Sequence, residues 1–178
     1  MATHDSTPDP RLPGKLPFFD MCEDSGKYRA HRELTPEQII RAAKAALANR
    51  CSRGTVITSP ETTADYLIVH YSEKPAEVFT CLFLDNRHGL IAAEELFQGT
   101  IDGASVHPRE IVRRCIELNA AAVILAHNHP SGNPTPSQAD QRIMQRIKET
   151  LAFVDVRVLD HFVVGGGDAY SFAEHGLL

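Results

Sequence analysis

The sequence predicts an α/β protein of the α+β kind, a mixed β-sheet flanked by helices, with an N-terminal extension ahead of it. Two observations carry that prediction. Along residues 55–178, short apolar runs rich in strand formers are interleaved with segments whose apolar residues recur at helical spacing. Residues 1–34, by contrast, carry Pro8, Pro10, Pro13 and Pro17, many charges and no sustained apolar period, the composition of a flexible arm. The 178 residues leave room for one domain with a proper core plus an appendage, and so for one functional site.

The elements follow in order. Thr35-Pro36-Glu37-Gln38 supplies an N-cap, a proline at the first helical position and a Gln at the third. Ile39, Ile40, Ala43 and Leu47 then keep helical spacing, which predicts a helix from Pro36 to Asn49 inside a helical segment spanning 35–54. Ser59-Pro60-Glu61 repeats the start signal before Tyr66, Leu67, Val69 and His70, for a second helix ending near Ser72. Val78 to Leu84 is an apolar run bounded by Pro75 and by Asp85-Asn86, a buried strand with a turn after it, and a second strand is expected over His88 to Leu96. His107-Pro108-Arg109-Glu110 opens a helix with Ile111, Cys115 and Leu118 on one face, and Ala121 to Ala126 is a buried strand. Ser137 starts a helix whose Ile143, Met144, Ile147 and Leu151 point inward. Val156 to Leu159 and Phe162 to Val164 read as two strands, and Gly165-Gly166-Gly167-Asp168 as the turn into a last one at Tyr170 to Phe172. There is no internal repeat.

Charge and cysteine usage narrow the partners. Residues 1–75 hold 10 Lys+Arg and 10 Asp+Glu, while residues 76–178 hold 8 and 13, so the formal charge of −5 resides in the C-terminal part. A duplex-DNA binder needs a basic face to displace counterions, and this balance argues against DNA as the main ligand while leaving room for a local basic patch. No run of about 18 apolar residues exists, and Met1 to Pro10 is polar, so a cytoplasmic protein without a membrane segment is expected. Cys22, Cys51, Cys81 and Cys115 form no C-x-x-C pair and are read as free thiols without a role.

Chemistry concentrates between His127 and Asp140. Two histidines at i and i+2, leaving the end of a buried strand, put both imidazoles on one side of an extended backbone. A proline-stiffened loop then brings Asp140, in the first helical turn, back toward them. A His, His, Asp set suits Zn²⁺ and leaves a fourth position open for catalysis. Peptide hydrolysis by an activated water also needs a carboxylate to move protons, and Glu77, Glu94, Glu95 and Glu110 are the candidates. Glu77 is favoured, because an acidic residue at the head of a buried strand is poorly explained by packing.

The pattern H-x-H-P-x6-S-x2-D, met by His127, His129, Ser137 and Asp140, resembles the JAMM signature of the JAB/MPN metalloprotease superfamily. E-V-F-x-x-L-F-L-D at Glu77 to Asp85, Gly99-Thr100, V-H-P-R-E at Val106 to Glu110, H-N-H-P-S-G at His127 to Gly132, P-S-x-x-D at Pro136 to Asp140 and L-D-H at Leu159 to His161 together resemble the bacterial RadC family, over residues 55–178. The resemblance implies the three-layer, cytidine-deaminase-like JAB/MPN domain. It also implies a Zn²⁺ held by His127, His129 and Asp140, Glu77 as general acid/base, and Ser137 near the oxyanion of a tetrahedral intermediate. On this reading the chain is a metal-dependent hydrolase of an amide or isopeptide bond with a peptide or protein substrate. Two other readings accompany it: a non-catalytic MPN interaction module, and a DNA-repair-associated protein that binds nucleic acid. RadC proteins carry an N-terminal helix-hairpin-helix region, and residues 1–54 here hold no G-hydrophobic-G hairpin.

Plainer explanations stand beside several of these residues. Ser137 and Asp140 satisfy an ordinary helix-start pattern, in which Ser137 caps and Asp140 favours the helix dipole. The letters H-N-H are a coincidence with the nuclease motif, whose residues are spread over a ββα hairpin. Arg109 and Glu110 are a helix start or a buried ion pair supporting the site, and His161 a structural hydrogen-bonding residue or a group behind the ligands. Gly165 to Gly167 is a turn and not a phosphate loop, because no helix with a Lys follows.

Overall fold

The computed structural model describes residues 16–22, 25, 27–50, 56–57, 59–99 and 105–178. Two short strands come first, β1 (Phe19–Met21) and β2 (Tyr28–Ala30), paired antiparallel as a ribbon inside the stretch read from sequence as an arm. Residues 1–15 and 51–55 lie outside the described residues, and Cys51 with them. Helix α1 (Pro36–Arg50) starts on the reciprocal cap foreseen: the Gln38 backbone N–H donates to Thr35 Oγ1 at 3.4 Å, and Thr35 N–H donates to the Gln38 amide oxygen at 3.1 Å. Helix α2 (Pro60–Tyr71) is capped by Ser59, whose hydroxyl accepts from Thr62 N–H at 3.3 Å.

The sheet is built from β3 (Val78–Leu84), β4 (Leu90–Gln98), β5 (Ala122–Asn128), β6 (Arg157–Gly165) and β7 (Asp168–Ser171), in the spatial order β4-β3-β5-β6-β7. Only the β5–β6 pair is parallel, joined by α4 (Gln138–Ala152); the others are antiparallel, with α3 (Pro108–Leu118) between β4 and β5. The sheet is therefore mixed.

Alternation along the central strands splits the core in two. Phe79, Cys81 and Phe83 of β3 join Val123 and Leu125 of β5, Ile111 and Cys115 of α3, and Met144, Ile147 and Leu151 of α4. Val78, Leu82 and Leu84 face the other way with Ala122, Ile124, Ala126, Phe162 and Val164, against Leu67 and Tyr71 of α2. The domain is thus three layers, α3 and α4 on one side and α2, backed by α1, on the other. Because β3 and β5 have helices on both faces, all seven residues of each are buried, which is why they read as unbroken apolar runs.

Several boundaries differ from the sequence reading: β5 runs to Asn128 instead of ending at Ala126, β4 to Gln98 instead of Leu96, and β7 begins at Asp168 instead of Tyr170. The two strands expected at Val156–Leu159 and Phe162–Val164 are one strand, β6. The polar pair Asp160-His161 that suggested a break is accommodated by an irregularity in which Val123 pairs with Val158 and Ile124 with Asp160. The buried Asp160 carboxylate accepts from the N–H groups of His161 (2.7 Å) and Ala173 (3.0 Å) and from the Ser171 hydroxyl (2.6 Å). Strand β4 begins two residues later than expected, because Asp85 Oδ1 accepts from Arg87 and Gly89 N–H (both 2.8 Å) and holds the preceding turn closed. The last strand ends at Ser171 rather than Phe172. No helix among the described residues is long and apolar enough to cross a membrane.

Candidate metal centre

Three side chains converge where β5 ends and α4 begins. His127 occupies the penultimate position of β5 on the α3/α4 face, and His129 follows two residues on, its N–H held by the Val164 carbonyl at 2.8 Å. The chain then turns through Gly132, at φ +84°. Beyond the loop, Ser137 caps α4. Its hydroxyl accepts from Asp140 N–H at 3.1 Å, and its own N–H donates to Asp140 Oδ2 at 2.7 Å. Closing this box orients the Asp140 carboxylate toward the histidines, so the plain helix-cap reading and the ligand reading describe one arrangement.

His127 Nε2 lies 3.0 Å from His129 Nε2, 3.5 Å separates His127 Nε2 from Asp140 Oδ1, and 3.5 Å separates His129 Nε2 from Asp140 Oδ2. One donor atom from each of the three residues falls within 4.8 Å of the others. His129 Nδ1–H donates to the Asn133 carbonyl at 2.8 Å, which leaves its Nε2 as a lone pair facing the cluster. Two imidazole nitrogens and a carboxylate so placed fit a zinc ion with one position left open.

The charges of these groups are coupled. Burial works to raise the Asp140 pKa, yet the His127 and His129 rings in their protonated forms, together with Ser137, outweigh it and hold the carboxyl far below the usual carboxylate range. A second proton on His129, at Nε2, would be held by Asp140, so the His129 pKa is pushed up against its partial burial, and a proton and a metal would compete for that nitrogen. His161, fully buried, is pushed well below the ordinary imidazole value by burial and by the neighbouring His127.

A cavity of about 440 Å³ opens over the cluster, with Glu77, Phe79, Val106 and Ile143 among its walls. Glu77 lines it together with His127, His129, Ser137 and Asp140, and stands outside the converging trio. The other acidic candidates point elsewhere. Glu94 and Glu95 leave β4 on opposite faces, Glu94 to Arg114 Nε (2.7 Å) and Glu95 to Lys74 Nζ (2.7 Å) and His70 Nε2 (3.0 Å). Glu110 pairs with Arg113 Nε at 3.0 Å. Arg109, at 85% exposure, makes only a surface contact with Glu110, so the alternative of a buried ion pair fails.

Three contributors escaped the sequence reading. Asn128, the middle letter of H-N-H, points to the opposite face from His127 and is buried. Its amide oxygen accepts from Val78 N–H at 2.8 Å and its amide nitrogen donates to the Ala76 carbonyl at 3.1 Å. It thereby clamps the backbone on both sides of Glu77. Gly165 and Gly166 form the seat of the ligand loop: a Cβ on Gly165 would meet Gly132 C at 2.9 Å and Asn133 C at 3.0 Å, and one on Gly166 would meet Gly132 O at 2.6 Å. The signal for this was present as three consecutive glycines, read only as a turn. The third contributor is Met144, taken for a plain core residue, whose sulfur touches the ring of His161.

With the geometry in hand, comparison with known proteins is direct. A family model described as the RadC-like JAB domain matches residues 57–177. A UPF0758 protein of Vibrio cholerae is 51% identical over 158 residues, covering 89% of this chain and 100% of the relative. One from Thioalkalivibrio sulfidiphilus is 55% identical over 169 residues, covering 95% and 74%. One from Nitrosococcus oceani is 62% identical over 132 residues, 74% of this chain, which spans only 59% of that relative's length. None of these names states an activity.

Proposed function

The chain belongs to the RadC-like JAB domain family, and on that premise we propose that it is a zinc-dependent metallohydrolase cleaving an amide or isopeptide bond in a peptide or protein. The observation that carries the reading is the convergence of His127, His129 and Asp140 in an open cavity whose wall includes Glu77. Zinc bound there would act as a Lewis acid and bring the pKa of a bound water to near 7.

The protein's own groups do the rest. Glu77, fixed at the head of β3 by the Asn128 clamp, takes a proton from the attacking water and returns it to the leaving amine. Ser137 lines the cavity with its N–H committed to Asp140, and its hydroxyl is the group positioned to donate to an oxyanion formed beside it. Asp140 sits in the first turn of α4, where the helix dipole favours its charge. Phe79, Val106 and Ile143 supply apolar walls that limit water around the reacting bond.

The test uses purified full chain. Stoichiometric zinc is expected, with loss of metal in His127→Ala and His129→Ala; Glu77→Gln should keep the metal and abolish hydrolysis of isopeptide-linked or peptide substrates. Protein free of stoichiometric metal, or alanine variants with unchanged metal, would overturn the site. Zinc binding with no hydrolysis of any amide substrate is the result expected of the non-catalytic interaction module instead. A salt-sensitive DNA shift near 50 mM salt is the result expected of a nucleic-acid-binding role.

A further inference from the structure

A thioether has no hydrogen to give. Met144 Sδ lies 2.9 Å from His161 Nδ1, and a sulfur of that type can only accept. His161 Nδ1 must therefore carry a proton, because a lone pair there would face the lone pairs of sulfur. The ring is fully buried, stacked on Phe172 at 4.8 Å and edge-on to Phe79 at 5.7 Å, with no carboxylate at either nitrogen. An imidazole in such surroundings is neutral and holds one proton, so its Nε2 is bare. That bare nitrogen is 2.7 Å from His127 Nδ1. The proton between them belongs to His127 Nδ1, and His127 Nε2 is left as a lone pair facing His129 and Asp140.

We propose that Met144 and His161 form a relay that fixes His127 in the one tautomer able to ligate the metal through Nε2. Both are positioning residues, and the inference rests on the reading of His127, His129 and Asp140 as the metal site. A metal-bound histidine ordinarily leans on a carboxylate or a carbonyl through its second nitrogen. His129 follows that habit with the Asn133 carbonyl. His127 instead leans on a neutral ring whose own proton is directed by sulfur. Helix α4 supplies both ends of the device, since Asp140 and Met144 are four residues apart and share a helix face.

The experiment measures zinc affinity of the full chain by competition with a chromophoric chelator, and the His127 tautomer by long-range proton–nitrogen NMR of the ring. His161→Phe keeps the aromatic packing and removes the acceptor; its zinc affinity should fall about 10- to 100-fold. His161→Gln, whose amide oxygen can accept from His127 Nδ1–H, should recover most of that loss, which a purely structural role would not produce. Met144→Leu conserves volume and removes only the sulfur; it should weaken zinc severalfold and shift zinc-free His127 toward the Nε2–H form. If His161→Phe does not fold, Met144→Leu and the wild-type spectrum decide the matter. Wild-type affinity in folded His161→Phe and in Met144→Leu, or a wild-type His127 proton found on Nε2, would overturn the relay. His127→Ala separates the two levels: if it loses zinc while both relay variants bind normally, only the relay fails. If wild-type protein binds no zinc, the site fails and takes the relay with it.

Discussion

Adding one methyl group behind the ligand loop, in Gly165→Ala, should weaken both the fold and the metal site. The new Cβ would stand 2.9 Å from Gly132 C and 3.0 Å from both Asn133 C and Gly132 O, all backbone atoms. Carbon atoms rest at about 3.5–4.0 Å, so the loop must retreat by roughly half an ångström or more. Gly165 is not among the glycines with positive φ, so the cost is contact alone. Overpacking of this kind costs about 1–3 kcal/mol. For a chain of this size that lowers Tm by about 2 to 12 °C. The atoms displaced adjoin the Asn133 carbonyl that receives His129 Nδ1–H, so zinc affinity should fall as well, by up to about 100-fold. Thermal melting and chelator competition on the same samples read both effects. Gly167→Ala is the control: at φ +84° with nothing within 4 Å, its methyl strains the backbone by about 1 kcal/mol and touches no ligand. Gly165→Ala with unchanged zinc affinity would refute the idea that these glycines seat the loop.

Other expectations follow from single contacts. Asn128→Ala removes both bonds of the Glu77 clamp and strands the buried Val78 N–H; denaturant unfolding should show a loss of about 1–3 kcal/mol, with zinc binding kept and any hydrolysis reduced. Ser137→Ala deletes the α4 cap, at about 1 kcal/mol by the same assay, and should also loosen Asp140, seen as weaker zinc binding. Glu94 titrates below its ordinary value, chiefly through its hydrogen bonds from Arg114. In the unfolded chain it takes up its proton first, so the pair's contribution is complete above pH 4.5 and disappears as pH falls through the folded value. Glu94→Gln should therefore flatten the acid limb of the stability–pH curve by about 0.5–1 kcal/mol, and an unaltered limb would show the pair to be inert.

The layers of this fold were legible because its signals are local. Proline after Ser or Thr starts α1 and α2, and strands covered on both faces read as apolar runs. The convergence of His127, His129 and Asp140 was legible for the same reason: they lie on one short stretch whose backbone geometry follows from strand, loop and cap. What escaped depends on register between distant segments. Asn128 contacts Ala76 and Val78 only because β3 pairs with β5 so that Phe79 faces His127. Gly165 meets Gly132 only because β6 lies parallel to β5. Asp160 and His161 looked like a break because their partners, Ser171 with Ala173, His127 and Met144, come from three separate places in the chain.

That division has a chemical consequence. The three proposed ligands travel together on β5, its loop and the first turn of α4, whereas Glu77 arrives from the head of a strand some fifty residues earlier. Asn128 grips the backbone of residues 76 and 78 and never the side chain at 77. The side chain at 77 is thus held in place by contacts that its own identity does not make, although its charge is felt by His129. On the proposed reading, the metal site and the proton-moving group can therefore be altered one without the other, Glu77→Gln replacing only the second.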